Sequence, residues 1–291
     1  MAYAFAHKDP SVGDAIRRIA REEGSHALEM VRATGELGPR VHAMRKTVKK
    51  LRGLLRLVRP VFPDAKAENA VLRDAGRGLS GLRDAAVQLA TAELLAERLP
   101  EDRREELVFP FREAAAHHDA RAEEEMLPPF ADVMDALILR SEGWQLTQDG
   151  WSAIEPGLAA TWTAARHAMK AARANPDADA LHEWRKRVKD HWYQARLLKP
   201  IWPDLMDPHV RATDDLGERL GLVNDLAVFR ERIEAAPLSP ELRPEAHHLA
   251  TLRHAELMEQ IVPLGRRLLA GKAEALTDRW GTWWRLRGHP A

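Results

Sequence analysis

The sequence predicts an all-α protein made of two related halves that arise from an internal duplication, each with roughly five helices packed as a bundle. Three observations predict it. Ala, Leu, Arg and Glu dominate, and runs of alternating Val, Ile, Thr and aromatic residues are missing, a composition that favours helices over strands. Helix start and stop signals recur along the chain. Residues 41–64, VHAMRKTVKKLRGLLRLVRPVFPD, align without a gap on residues 181–204, LHEWRKRVKDHWYQARLLKPIWPD, with ten of 24 positions identical, and self-similarity of this kind marks a repeated structural unit.

The identities include His42/His182, Arg45/Arg185, Lys46/Lys186, Lys49/Lys189 and Arg56/Arg196. Downstream, LSGLRDAAV matches LGLVNDLAV after a slip of one residue, which pairs Asp84 with Asp225. The halves are therefore assigned to residues 1–140 and 141–291, joined near SEGWQLTQDGW at 141–151.

Taken in order, the helices are expected near 11–34, 38–59, 65–80, 82–98, 102–140, 151–173, 177–199, 205–220, 222–235, 240–261 and 264–286. Ser11, three residues before Asp14, resembles a capping box at the first. Pro60 and Pro200 end the second and seventh at the same repeat position. Pro110 and Pro128 are candidate breaks within 102–140. Asn175-Pro176 and Ser239-Pro240 read as an N-cap followed by Pro in the first turn.

With 291 residues the chain can bury a sizeable core. It has no Cys, which excludes disulfides, thiolate metal sites and Cys nucleophiles. No basic start followed by an apolar run opens the chain, and no stretch of 18 apolar residues occurs, so neither a secretory signal nor a membrane span is expected. The expected location is the cytoplasm. Acids and bases balance at 44 each, so charge matters only where it is segregated. It is segregated: residues 40–60 carry eight Lys or Arg and no acid, whereas 97–125 carry ten acids against five bases.

At about 100° per residue, His42, Arg45, Lys49, Arg52 and Arg56 fall within about 80° of one another. Val41, Met44, Val48, Leu51, Leu55 and Val58 form a separate apolar face. Lys46 and Lys50 flank the cationic stripe on its far side. The second copy keeps His182, Arg185, Lys186, Lys189 and Arg196, with Trp192 in place of Arg52 and Asp190 in place of Lys50. The plain alternative is a solvated helix face. Such faces normally mix signs for i,i+4 pairing, and recurrence of an unmixed stripe at equivalent positions argues for a ligand. A ladder of Arg forks and Lys point charges suits an extended polyanion held without base contacts. Arg17, Arg166 and Lys170 on the preceding helices are candidate wall residues.

At these residues the sequence resembles the CHAD family, the conserved histidine α-helical domain. The pattern H-x-x-R-x-x-x-K/R-x-x-R occurs as His42, Arg45, Lys49 and Arg52, and again as His182, Arg185 and Lys189. Arg83-Asp84 is echoed by Asn224-Asp225, and the resemblance spans roughly residues 10–285. It implies two pseudo-symmetric four-helix bundles, inorganic polyphosphate bound in a basic central cavity, and association with polyphosphate granules. Trp192 departs from the family pattern, which implies a weaker second ladder. A strand-rich triphosphate-hydrolase domain with alternating E-x-E, carried by many relatives, is not evident, so a stand-alone, non-enzymatic binding module without cofactor is expected.

Neighbouring cations favour neutral His42 and His182; each is either a phosphate contact or a tie between helices. Asp84 and Asp225 read as partners of ladder arginines. The glycines of GRGLSG (76–81) satisfy G-x-G-x-x-G but follow a helical pattern, so close packing or a helix–helix turn is expected rather than a dinucleotide site. His117, His118, Asp119, Glu123, Glu124 and Glu125 lack metal-ligand spacing and read as a solvated acidic face, with docking of a basic partner or of the protein's own far half the alternative. The nine Trp read as core packing, with base stacking by WGTWWRLRGH (280–289) the weaker reading. The rivals to polyphosphate binding are nucleic-acid backbone binding through the same ladders and a metal-dependent phosphohydrolase.

Overall fold

A computed structural model describes residues 3–79, 81–116 and 125–287, with the side chains of 81–84 outside that description. Eleven α-helices and no strand occur among the described residues. They are α1 (Val12–Arg32), α2 (Leu37–Val58), α3 (Ala65–Gly78), α4 (Gly81–Ala96), α5 (Glu101–Ala116), α6 (Leu127–Glu142), α7 (Gly150–Ala174), α8 (Ala178–Leu198), α9 (Pro203–Ala235), α10 (Leu242–Leu268) and α11 (Ala273–Leu286).

Local signals account for several boundaries. Ser11 Oγ accepts from the Asp14 backbone N–H at 2.9 Å and donates to its carboxylate at 2.6 Å, capping α1. Pro60 and Pro200 turn the ends of α2 and α8 into short 3-10 segments, Arg59–Val61 and Lys199–Ile201. Pro128 starts α6. Other signals act differently from expectation. The N-cap of α8 is Asp177, which accepts from Ala180 N–H at 2.8 Å, while Asn175 closes α7. Pro110 and Pro263 lie inside α5 and α10 without ending them. Residues 203–235 form one continuous helix rather than two, because Gly217 and Gly221 are used for close packing rather than for a turn. The true break near the C-terminus is Gly271, at φ 82°, a left-handed conformation that Gly adopts without strain.

The helices bury two apolar cores. The first joins α1, α2, α3, α6, α11, the N-terminal part of α7 and the C-terminal part of α8, through residues such as Ile16, Leu54, Met134, Trp162 and Trp280. The second joins α4, α5, α9, α10, the C-terminal part of α7 and the N-terminal part of α8, through residues such as Leu107, Trp184, Leu220 and Phe229. Five Trp are buried; full burial of Trp184 makes its truncation to Ala worth about 3–5 kcal/mol. Trp202 is the exception, at 44% exposure. Both α7 and α8 contribute to both cores, so α8 is held rigidly where α2 crosses it.

Candidate anion-binding cleft

Gly53 of α2 sits against Tyr193 of α8: a Cβ at Gly53 would lie 2.6 Å from the Tyr193 Cβ. The two positions are equivalent in the repeat, so the helices cross at corresponding points. Tyr3 closes the floor of the crossing, donating to the Lys50 carbonyl at 2.7 Å and standing edge-on to Tyr193. Burial pushes both tyrosine hydroxyls up in pKa, Tyr193 to about 12, so they remain neutral.

A cleft of about 670 Å³ opens at the crossing. His42, Arg45, Lys46, Lys49, Arg52 and Arg56 line it from α2, and Arg185, Lys186, Lys189 and Arg196 line it from α8. The two predicted ladders are thus brought to one cavity. Their stems are held by packing. Arg45 Nη1 donates to the Leu79 carbonyl at 2.6 Å and Arg52 Nε to Asn69 Oδ1 at 3.1 Å. On the other side, α9 places Gly217 under the Lys189 stem and Gly221 beside the Arg185 guanidinium, where a Cβ would come within 2.9 and 3.1 Å respectively. Among the described residues, buried Arg185 Nε has no hydrogen-bond partner. Burial, and then Arg56 alongside, lower the pKa of Arg52 from its ordinary value. It stays charged, so an anion entering here relieves like-charge repulsion.

The cleft also holds residues the sequence reading did not place there: Arg187, Asp190, Tyr193, Asp214 and Glu218. Arg56 Nη1 meets Asp190 Oδ1 at 2.6 Å across the two helices. Burial raises the Asp190 pKa, and Arg56, Arg187 and Arg52 pull it back. Lys189 Nζ lies 2.9 Å from Asp214 and also binds Glu218. The Trp192 ring carries Lys189 Nζ at 4.3 Å and the Arg196 guanidinium at 4.7 Å, both within cation–π range. Trp192 therefore fixes two bases of the second ladder. The hint in the sequence was Asp190 standing at the repeat position of Lys50; the acids of α9 carry no motif.

Other predicted residues lie elsewhere. His182 is outside the cleft lining, its Nδ1 2.8 Å from Asn224 Oδ1, so it ties α8 to α9, whereas exposed His42 faces the cavity. Arg17 bonds the Trp144 carbonyl and Asp14, each at 2.7 Å, and lines a second pocket between α1 and α6. Arg166 and Lys170 of α7 are also absent from the cleft lining. Lys50 turns away from the ladder to a buried ion pair with Glu23 at 2.8 Å. Gly76 of the glycine motif packs on Val48. His117, His118, Asp119, Glu123, Glu124 and the Asp84 side chain lie outside the described residues, and Glu125 is exposed. No group of three or more metal-ligating side chains occurs among the described residues, and none of their helices is long and apolar enough to cross a membrane.

The fold and the cleft define an all-helical protein with a central cavity walled by cations from two long helices. The chain belongs to the CHAD-domain family, whose model matches residues 18–234. The crystal structure of the CHAD domain from the plant Ricinus communis is similar over 94% of this chain and 96% of that one, at 20% identity and TM-score 0.63. PptA from Streptomyces chartreusis is similar over 88% and 97% respectively, at 16% identity and TM-score 0.58. At these identities the likeness is one of fold. A comparison with curated proteins found no match.

Proposed function

We propose that the protein binds inorganic polyphosphate in the cleft between α2 and α8, as a non-enzymatic module of two duplicated helical halves. The observation that carries this is the convergence of Arg45, Lys49, Arg52, Arg185, Lys189 and Arg196 on one cavity. Forked guanidiniums and ammonium groups arrayed on both walls match the charge of an unbranched phosphate chain. Family membership supports the same ligand. Attachment to polyphosphate granules in the cytoplasm follows from such binding and is tested by imaging a fluorescent fusion beside a polyphosphate stain.

Nucleic-acid backbone binding is the second reading. Single-stranded binders add aromatic platforms for bases; of the aromatic residues lining the cleft, Trp192 already carries Lys189 and Arg196 and Tyr193 is buried against Gly53 and Tyr3. That favours a ligand without bases. A phosphohydrolase positions carboxylates around a metal ion, whereas Asp190 and Asp214 are engaged with Arg56 and Lys189.

The test is a binding titration with long-chain polyphosphate, competed by single-stranded RNA and by duplex DNA at physiological salt. Polyphosphate is expected to hold against equal concentrations of nucleic-acid phosphate; displacement by nucleic acid overturns the reading. Arg45→Glu/Lys49→Glu is expected to abolish binding with the helical circular-dichroism spectrum unchanged. Orthophosphate release in the presence of Mg²⁺ would make the protein an enzyme instead.

A further inference from the structure

The slip-adjusted register of the repeat continues backward into α3 and α9, where Gly76 falls on Gly217 and Leu79 on Leu220. The same register sets Arg73 opposite Asp214 and Arg77 opposite Glu218. Equivalent wall positions thus carry opposite charge. On α9, Asp214 and Glu218 line the cleft and clamp Lys189.

On α3, Asn69 marks the side that faces the cleft, because it accepts from Arg52. Arg73 and Arg77 follow at i+4 and i+8, about 40° and 80° round the helix from Asn69, so they continue that side as a row. Glu68 faces away, held by Arg140 of α6 at 2.8 Å. Arg73 and Arg77 are 44% and 71% exposed in their side chains, and both are oriented by Asp74. Their charges reach Arg52, adding to the repulsion it feels. The α2 ladder is therefore flanked by a second cationic row on α3, and the α8 ladder by an acidic row on α9.

We infer that a bound phosphate chain lies off-centre, over the α2–α3 side, with Arg73 and Arg77 as additional phosphate contacts and Asp214 and Glu218 repelling it from α9. This rests on the proposed polyphosphate binding and adds a path to it. A chain drawn this way gains charge contacts outside the cavity, so affinity depends on length beyond what the cavity holds.

The experiment titrates the full chain with tripolyphosphate and with long-chain polyphosphate over a range of salt. The variants are Arg73→Gln/Arg77→Gln and Asp214→Asn/Glu218→Gln, each checked by thermal melting. The arginine pair is expected to lose affinity for the long chain several-fold, lower its salt slope by about 1.5, and leave tripolyphosphate affinity unchanged. The acid pair is expected to tighten both ligands. Unchanged long-chain affinity and slope in the arginine pair overturns the α3 path while leaving cavity binding standing. Equal losses in both variants overturn it too, as they would show a symmetric site. Failure of the unmodified protein to bind either phosphate overturns the proposed function and the path together.

Discussion

Arg56 and Asp190 meet at 2.6 Å across the crossing of α2 and α8, with side chains only 27% and 11% exposed. Asp190 occupies the repeat position of Lys50, so the pair joins helices that would otherwise oppose base to base. Removing Arg56 leaves the shielded Asp190 carboxylate only its longer contact with Arg187, at 3.5 Å, and an under-compensated buried charge is costly. Arg56→Ala is expected to cost about 3 kcal/mol in urea denaturation, and Arg56→Ala/Asp190→Leu to recover most of it. Similar stability for Arg56→Ala and the unmodified protein would show that Arg187 or solvent compensates Asp190 in its place.

Gly157 governs the approach of α7 to α2. A Cβ there would lie 1.8 Å from the Leu57 carbonyl oxygen, and backbone cannot move aside as a side chain can. Gly157→Ala is expected to destabilise by more than about 3 kcal/mol. Gly38 is the control, because a Cβ added there would meet nothing within 4 Å. Gly38→Ala is expected to gain about 0.5 kcal/mol. Both are read from denaturation midpoints.

A pH dependence follows from His191 and His209, whose Nε2 atoms are 2.8 Å apart between the Trp162 and Trp280 rings. Burial lowers the pKa of both, His209 to about 4, with Arg279 adding to the effect on His209 and His209 to that on His191. The folded protein resists protonation that the unfolded chain accepts near pH 6.5. Stability is therefore full above that pH and is lost as pH falls toward 4, by about 3 kcal/mol from His209. His209→Gln is expected to flatten the fall in denaturation free energy between pH 6.5 and 4; an unchanged slope would remove the pair as its cause.

Trp192 offers a change of ligand affinity with a known sign. Trp192→Arg replaces the ring under Lys189 and Arg196 with the base that stands at Arg52 in the first copy. One added phosphate contact is expected to steepen the salt dependence of polyphosphate binding by about 0.8. A flatter slope would mean that the ring's alignment of its two neighbours matters more than a further charge.

The helical class and the α2 ladder were legible because both are periodic. A cation stripe and an apolar stripe on one helix fix each other's direction, whichever helices pack nearby. The walls were not legible in the same way. Asp214 and Glu218 lie in an ordinary stretch of charged residues, and only the packing of Gly217 and Gly221 under the Lys189 and Arg185 stems turns that side of α9 to the cleft. Arg17 looked equivalent to a wall residue because helix order suggested it, but α1 presents it to the connection after α6. Pro110 misled as a candidate break because its helix runs on through it, with Leu107, Val108 and Phe111 buried on either side, despite a missing N–H donor.

The two cores have a consequence for synthesis. Phe111 of α5 rests on Phe229 of α9, ring centres 4.9 Å apart, and Leu107 is buried in the same core. As the chain leaves the ribosome, the α4–α5 hairpin emerges well before the helices that cover it. Its apolar face stays uncovered until α9 and α10 arrive, so a message truncated after Glu142 is expected to yield a sticky, protease-sensitive nascent chain rather than a free-standing half.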